Sequence, residues 1–295
     1  MRIIRLSIGF ALILSVAYNL MLHFGLDSDL PPISPGTRKM IRAENYIYNQ
    51  NSADKIIVGS SVSAGLDDVA PEDWYVLSMQ GESSATGLEI VLRSKKVPSV
   101  ILVEMNVLER GVNNEKVNQL FSVARYSLAK FLPSFQNKNR ISRILWKLPS
   151  SINEFQKNLR GIKTDISVQI KTDNLPSPEV VEQLLQERLI KFQKPLPKEV
   201  LNDNLSKLKS QLTELKAKGS SIYLFRLPEH PSIYSTTRMK QFIQTTDKSF
   251  SKTDWNWLPD ANPNDFTTND GQHLTYKSLA KYAEYLFSRL NQIQN

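Results

Sequence analysis

The sequence contains no cysteine and only three histidines, His23, His230 and His273. The lack of cysteine excludes disulfides, thiolate nucleophiles and zinc sites built on thiolates. With so few histidines, a metal site built mainly on imidazole is not expected, and the search for a catalytic base is short. No run of Lys and Arg interleaved with aromatic residues indicates nucleic-acid binding. We therefore expect no metal, no cofactor and no nucleic-acid partner.

Acidic residues are fewer than basic ones, which gives a formal net charge of +8 at pH 7. This excess is either an ordinary solvated surface or an attraction to an anionic membrane or an anionic glycan. The apolar fraction of 41% is sufficient for a buried core. A chain of 295 residues fits one large domain, or one domain with a helical insertion, beside any membrane segment.

The first part of the chain contains a long apolar run. Residues 6–26 are 21 residues without Asp, Glu, Lys or Arg, which is enough to cross a bilayer as one helix. Arg2 and Arg5 precede this run and two aspartates follow it, which predicts a cytoplasmic N-terminus and an exported, periplasmic or extracellular domain. A cleaved signal peptide, which also exports the domain, is one alternative, and a buried helix of a soluble protein, which the lack of a polar face disfavours, is the other. The predicted parts are an anchor or signal peptide at 1–27, a Pro-containing linker at 28–40 and the domain at 41–295.

Short apolar runs alternate with segments of helical pattern in the rest of the chain. The predicted strands are 55–59, 74–79, 97–104 and 220–226, and the predicted helices are 42–51, 83–94, 179–192, 197–218 and 274–290. An insertion at about 115–217 is mostly helical. Strands that are continuously apolar are typical of a parallel sheet covered on both faces. The sequence therefore predicts a three-layer α/β/α domain with a central parallel sheet, preceded by an N-terminal transmembrane helix.

Small or polar residues follow several of the predicted strands. Ser61 follows the first strand, Gly81 the second and Asn106 the third. Because ligands bind beyond the carboxyl ends of parallel strands, these residues are expected at one edge of the sheet. His230 follows the fourth strand and is a candidate base or a residue that contacts the substrate.

Ser61 is expected where a strand is followed by a helix. One interpretation is that Ser60, Ser61 and Ser63 cap that helix. The other is that Ser61 is a nucleophile, because a helix start offers N–H groups and a positive dipole end to a negative oxygen. The glycines at 59 and 65 favour the second interpretation, since they permit a sharp turn and close approach of a substrate.

The sequence of residues 59–65, Gly-Ser-Ser-Val-Ser-Ala-Gly, resembles the first block of the SGNH/GDSL hydrolase family, Gly-Asp-Ser-Leu-(Ser/Thr)-x-Gly. Serine in place of the family's Asp is similar to a Gly-Ser-Ser variant in membrane-anchored members that act in cell-envelope acylation. Residues 270–273, Asp-Gly-Gln-His, resemble the family's fifth block, Asp-x-x-His. Gln80-Gly81 resembles the second block. Residues 104–107, Glu-Met-Asn-Val, stand where the family has Gly-x-Asn-Asp and keep only the Asn.

The resemblance implies a flavodoxin-like fold and a Ser-His-Asp triad of Ser61, His273 and Asp270. It also implies an oxyanion hole made by the N–H groups of Ser61 and Gly81 and by the side-chain amide of Asn106. The chemistry agrees with these residue types. A serine hydroxyl needs a base, an imidazole titrates near neutral pH, and a carboxylate can orient the imidazole.

Other residues are weaker candidates for substrate binding. Glu104 is either a satisfied carboxylate at a strand end or part of the pocket. Trp255, Trp257 and Tyr276 lie near the fifth block, where they either stack on sugar rings or fill the core. The insertion is either ordinary amphipathic packing or a cap over the acceptor site.

Serine chemistry of this kind does not select the acyl acceptor. The first hypothesis is an outward-facing O-acyltransferase that acts on acetyl groups of an extracellular or cell-envelope polysaccharide, together with a multi-spanning membrane acyltransferase. The second is a carbohydrate or lipid esterase. The third is an inactive SGNH-like domain that binds glycans or assists assembly.

Overall fold

The computed structural model describes residues 2–24, 34–48, 53–140 and 177–294. The chain forms two compact units. One comprises residues 1–49 and 118–170, and the other comprises residues 50–117 and 171–295. We call the first the N-terminal unit and the second the sheet unit.

The sheet unit is built on five parallel strands in the order β2-β1-β3-β4-β5. The strands are β1 (Lys55–Gly59), β2 (Trp74–Ser78), β3 (Val100–Glu104), β4 (Ser221–Phe225) and β5 (Asn256–Trp257). The first four were predicted within three residues of their ends. The fifth was missed, because two residues carry no periodicity. This strand order is that of flavodoxin-like doubly wound sheets, with the topological switch point between β1 and β3.

Helices cover both faces of the sheet, which confirms the predicted α/β fold with a parallel sheet. The helices of this unit are α3 (Ser84–Arg93), α6 (Pro178–Phe192), α7 (Lys198–Ala217), α8 (Pro231–Tyr234), α9 (Thr237–Ser249) and α10 (Tyr276–Gln294). Ile57 and Leu102 face a core shared with Leu279, Tyr282 and Leu286 of α10. The opposite face packs closely on α3, where a Cβ built on Gly87 would lie 2.5 Å from Val58 Cγ1.

The N-terminal unit begins with α1 (Arg2–His23), whose segment Ile3–His23 is long and apolar enough to span a membrane. It also contains α2 (Pro35–Tyr48), α5 (Val123–Phe131) and two short 3-10 turns, Pro133–Phe135 and Asn137–Asn139. Helix α4 (Asn114–Phe121) runs from one unit into the other.

One sequence prediction needs correction here. The helix predicted from residue 42 begins at Pro35, so the end of the predicted linker 28–40 is helical. Ser34 starts this helix, since its hydroxyl accepts a hydrogen bond from the Thr37 N–H at 3.2 Å. The linker residues 28–33 lie outside the described residues. The insertion is helical at α4 to α7, while its residues 141–176 lie outside the described residues.

Candidate active site

The buried carboxylate of Glu104, the last residue of β3, accepts hydrogen bonds from the loop after β1. Its Oε2 accepts hydrogen bonds from the Ser60 N–H at 2.6 Å and the Ser63 hydroxyl at 2.7 Å, and its Oε1 accepts one from the Ser60 hydroxyl at 2.8 Å. Burial raises the pKa of Glu104, and these hydrogen bonds oppose that rise. Gly59 permits the approach, because a Cβ there would lie 2.5 Å from Glu104 Oε2. The serines on either side of Ser61 therefore have structural roles.

Ser61 itself lies on a turn. The helix predicted after it is only a 3-10 turn, Ala64–Asp68, which starts three residues later. Ser61 is thus not at the start of an α-helix, and the predicted helix start there is not found. Among the described residues the Ser61 N–H donates no hydrogen bond, while the Val62 N–H donates to Ser60 Oγ at 3.1 Å.

The structure brings the three predicted triad residues together. Ser61 Oγ lies 3.1 Å from His273 Nε2, and His273 Nδ1 lies 2.8 Å from Asp270 Oδ2. Ser61 follows β1 and the other two precede α10, so residues 212 positions apart in sequence meet at one edge of the sheet. Both distances are hydrogen-bond distances. The three side chains follow one another in the order nucleophile, base and carboxylate. The arrangement can move a proton from the serine hydroxyl to the imidazole.

A tight turn fixes the carboxylate. Asp270 Oδ1 accepts hydrogen bonds from the Gln272 N–H at 3.0 Å and the His273 N–H at 2.8 Å. Gly271 has φ +89°, a conformation that favours glycine. Burial alone would raise the pKa of Asp270, but hydrogen bonds and the charge interaction with His273 outweigh it and hold the pKa well below its usual range. Asp270 is therefore ionised at neutral pH.

Arg188 is a fourth member of the site that the sequence analysis missed. Its Nη2 lies 2.6 Å from Asp270 Oδ2, the same oxygen that faces His273 Nδ1. Arg188 lies on α6, within the insertion, so an insertion helix is tied directly to the carboxylate of the triad. Arg188 contacts Asp270 and not His273 or Ser61, so any effect on the imidazole would pass through Asp270.

Replacing Arg188 with Met should keep the side-chain length and remove the charge. The Asp270 carboxylate then lacks the positive charge that balances it, so the rising limb of the pH–rate profile should move to higher pH. Arg188→Lys keeps the charge and should move the limb less. The profile is measured with an activated ester. Identical profiles for the wild type and Arg188→Met would show that Arg188 acts only in packing.

The three expected oxyanion donors differ in their availability. Gly81 has φ +79° on an exposed turn after β2, and within the described chain its N–H donates no hydrogen bond. The Asn106 side-chain amide is already engaged, since Nδ2 donates to Leu227 O at 2.9 Å and to Glu229 Oε1 at 3.1 Å. Both of its hydrogens have acceptors, and Asn106 Oδ1 accepts from the Leu227 N–H at 2.8 Å. The prediction for Asn106 therefore needs correction: in this conformation it joins β3 to the segment after β4.

Glu229 connects Asn106 to the triad loop. It is 1% exposed, and its Oε2 accepts a hydrogen bond from Gln272 Nε2 at 3.3 Å. Burial raises the pKa of Glu229 to about 7, although hydrogen bonds from Asn106 and Gln272 lower it. The sequence analysis passed over Glu229, although it adjoins His230 at the carboxyl end of β4.

Glu229 should make stability depend on pH. Its pKa is about 7 in the folded chain against an ordinary 4.5, so between these values the folded state binds more protons than the unfolded state. The free energy of unfolding should therefore fall as pH rises through this window, with a contribution from Glu229 on the order of 2–3 kcal/mol. Glu229→Gln should remove that contribution. Urea unfolding at about pH 5 and about pH 7.5 measures it, and equal pH dependence in both proteins would contradict the assignment.

The four other predicted substrate contacts, Glu104, His230, Trp255 and Trp257, do not line the cavity at Ser61 and His273. Glu104 and the two tryptophans are buried, with exposed fractions of 1%, 7% and 9% for Glu104, Trp255 and Trp257. Trp255 packs on Phe250, and Trp257 Nε1 donates to Phe250 O at 2.7 Å, so both indoles are core residues and cannot stack on a sugar. His230 Nδ1 accepts from the Ser232 N–H at 3.3 Å, and His230 lines a separate depression beside Gly271.

A cavity of about 290 Å³ opens beside Ser61 and His273. The insertion supplies one wall through α6, with Leu184, Arg188 and Phe192. The charged groups of the lining are four basic and two acidic side chains, Arg110, Arg188, Lys191, Arg238, Glu109 and Glu187. No cluster of metal-ligating side chains occurs in the part of the chain that the structure describes.

A scan of the chain against protein-family models finds no match. A search of curated proteins finds no significant relative. The resemblance to SGNH/GDSL hydrolases therefore rests on the sequence blocks, and the chemistry must be argued from the site itself.

Proposed function

We propose that this chain is a membrane-anchored, outward-facing serine enzyme of the SGNH type that transfers or hydrolyses O-acyl groups of an extracellular or cell-envelope polysaccharide. The observation that carries the proposal is the pair of distances in the triad, 3.1 Å from Ser61 Oγ to His273 Nε2 and 2.8 Å from His273 Nδ1 to Asp270 Oδ2. The first-block and fifth-block resemblances support it, and acetyl is the acyl group we expect.

In the first half-reaction Ser61 Oγ attacks the carbonyl carbon of the donor ester, and its proton moves to His273 Nε2. The carbonyl oxygen becomes an oxyanion, for which the N–H groups of Ser61 and Gly81 are the proposed donors. Collapse of this intermediate breaks the bond to the donor alcohol, which leaves with the proton from His273. The product is an acyl ester on Ser61.

In the second half-reaction an acceptor hydroxyl attacks the acyl-serine and gives its proton to His273. The Ser61–acyl bond then breaks, and Ser61 recovers its proton. A sugar hydroxyl as acceptor gives O-acylation, and water gives hydrolysis. The cationic excess of the cavity supports an acceptor with negative charge, and a multi-spanning membrane acyltransferase is the proposed supplier of acyl groups.

In the test, the detergent-solubilised full chain is incubated with p-nitrophenyl acetate as the acyl donor. The acceptor is either a deacetylated polyuronate or a neutral glucan. Transfer predicts nitrophenol release together with new O-acetyl groups on the polyuronate, detected by NMR. Release with free acetate as the sole product would assign an esterase instead. Ser61→Ala is the matched control. No release and no covalent labelling would leave the inactive glycan-binding alternative and overturn the enzyme proposal.

The proposed localisation has its own test. Arg2 and Arg5 before the apolar helix predict that the C-terminus lies outside the cytoplasm. An alkaline phosphatase fused after Asn295 should therefore be active in a bacterial host, because this enzyme folds only where disulfides form. A second fusion carries green fluorescent protein at the same position. If the phosphatase fusion is inactive and the green-protein fusion is fluorescent, the domain lies in the cytoplasm and the envelope substrate is excluded.

A further inference from the structure

The N-terminal unit carries an exposed apolar face next to the candidate membrane span. Val123, Leu128 and Phe131 of α5 are 84%, 40% and 74% exposed, and Leu132 and Phe135 just after the helix are 36% and 47% exposed. Val123, Phe131 and Leu128 fall within an arc of about 140° around the helix, in which Ser127 is the polar residue. Ala129, on the opposite side, is fully buried. The helix therefore has a packed side and, within the part of the chain that the structure describes, an exposed side rich in apolar residues.

Contacts between α1 and the turns at 133–135 and 137–139 determine where these turns lie along the candidate span. The Tyr18 hydroxyl donates to Asn139 O at 2.6 Å, and Asn19 Oδ1 accepts from the Ser134 N–H at 3.1 Å. Tyr18 is five residues before the end of α1 at His23, which corresponds to about 8 Å along the helix. If α1 crosses a bilayer, the turns at 133–135 and 137–139 lie about that far below its end. Interfacial helices bury their apolar faces to a similar depth of about 5–10 Å.

The charge of the same segment suits a lipid headgroup layer. Residues 118–140 contain four basic residues and no Asp or Glu. Arg125 is committed to Glu44, with Nη2 2.8 Å from Oε1. Lys130 and Arg140 are exposed beside the apolar face. An apolar face bordered by basic side chains is the pattern of a helix that lies in the membrane interface.

A groove makes the apolar surface continuous from the span to the turns. It has a volume of about 550 Å³ and lies between α1 and the 133–135 turn, with Leu14, Tyr18 and Phe135 in its walls. Its lining contains no acidic side chain. Acyl chains of surrounding lipid can fill such a groove.

We propose that α5 and the two turns after it form an interfacial membrane-docking element, with Val123, Phe131 and Phe135 in the acyl boundary and Lys130 and Arg140 at phospholipid phosphates. This proposal rests on α1 being a membrane anchor and is independent of the serine chemistry. It gives the anchored chain a second attachment to the bilayer. That attachment would restrain the rotation of the N-terminal unit about α1.

The absence of cysteine makes a direct test possible. Single cysteines at Val123 and Phe131 carry an environment-sensitive fluorophore, in full chain reconstituted into vesicles of phosphatidylcholine and phosphatidylglycerol. Both probes should show blue-shifted emission and should be quenched by nitroxide-labelled lipid more than by aqueous iodide. Ser210→Cys, at an exposed position of α7, is the matched control for background partition of the dye. The two test positions are highly exposed, so neither substitution removes a packed side chain.

A third probe at Ile13, in the middle of α1, separates the possible failures. Lipid quenching at Ile13 with water-like emission at both Val123 and Phe131 would overturn the docking element while leaving the anchor intact. Water-like emission at all three positions would overturn the anchor and the docking element together. Because only this chain is present, a surface that needs a protein partner would also give water-like emission at α5, which counts against the proposal.

Discussion

Ser61→Ala is expected to abolish turnover of an activated ester, with a loss of at least about four orders of magnitude, while the free energy of unfolding changes by less than about 1 kcal/mol. The reason is that the Ser61 hydroxyl contacts His273 at the edge of the cavity and makes no other hydrogen bond to the described residues. Turnover and urea unfolding on the same preparation measure both quantities.

Ser60→Ala is the matched control, and it should behave in the opposite way. Its hydroxyl is fully buried, donates to Glu104 and accepts from the Val62 N–H. Removing it leaves the buried Val62 N–H and the buried Glu104 carboxylate with one hydrogen-bond partner fewer each. This should cost about 1–3 kcal/mol of stability. Turnover at low temperature should survive. Activity that persists in Ser61→Ala and vanishes in Ser60→Ala would show that the alignment with the first block is shifted by one residue.

His273→Ala should also lower turnover by several orders of magnitude, and Asp270→Asn somewhat less. Only neutral imidazole accepts the serine proton, so wild-type activity should rise with pH. His230→Ala should change the rate by less than about tenfold, because His230 caps a short helix and faces a different depression. All three rates are measured on one activated ester.

The histidine comparison has a clear contrary result. If His230→Ala is inactive and His273→Ala keeps near-normal turnover, the base is misassigned. The 3.1 Å contact to Ser61 would then have no catalytic meaning.

The sheet and the proximity of Ser61, His273 and Asp270 could be predicted because their signals are local. Apolar runs define β1 to β4, and two short blocks define the loops that carry Ser61 and His273. The alternation of strands and helices then places those loops at one edge of the sheet. β5 could not be predicted, since Asn256 and Trp257 form a strand only by pairing with β4.

The errors share a different cause, namely contacts between residues distant in sequence. Arg188 meets Asp270 across 82 positions, and no local pattern in the insertion marks it. Asn106 matches the asparagine of a family block, but its side-chain amide donates hydrogen bonds to Leu227 and Glu229, more than 120 positions away. Trp255 and Trp257 suggested sugar stacking because aromatic residues are typical of both cores and binding sites, and only burial distinguishes the two.

The central claim is that Ser61 is a nucleophile activated by His273. The most direct measurement treats the full chain with a serine-reactive phosphonate and locates the adduct by peptide mass spectrometry. We expect one adduct, on Ser61, that is absent in Ser61→Ala and strongly reduced in His273→Ala. An adduct on another serine, or none on a folded wild-type chain, would contradict the claim.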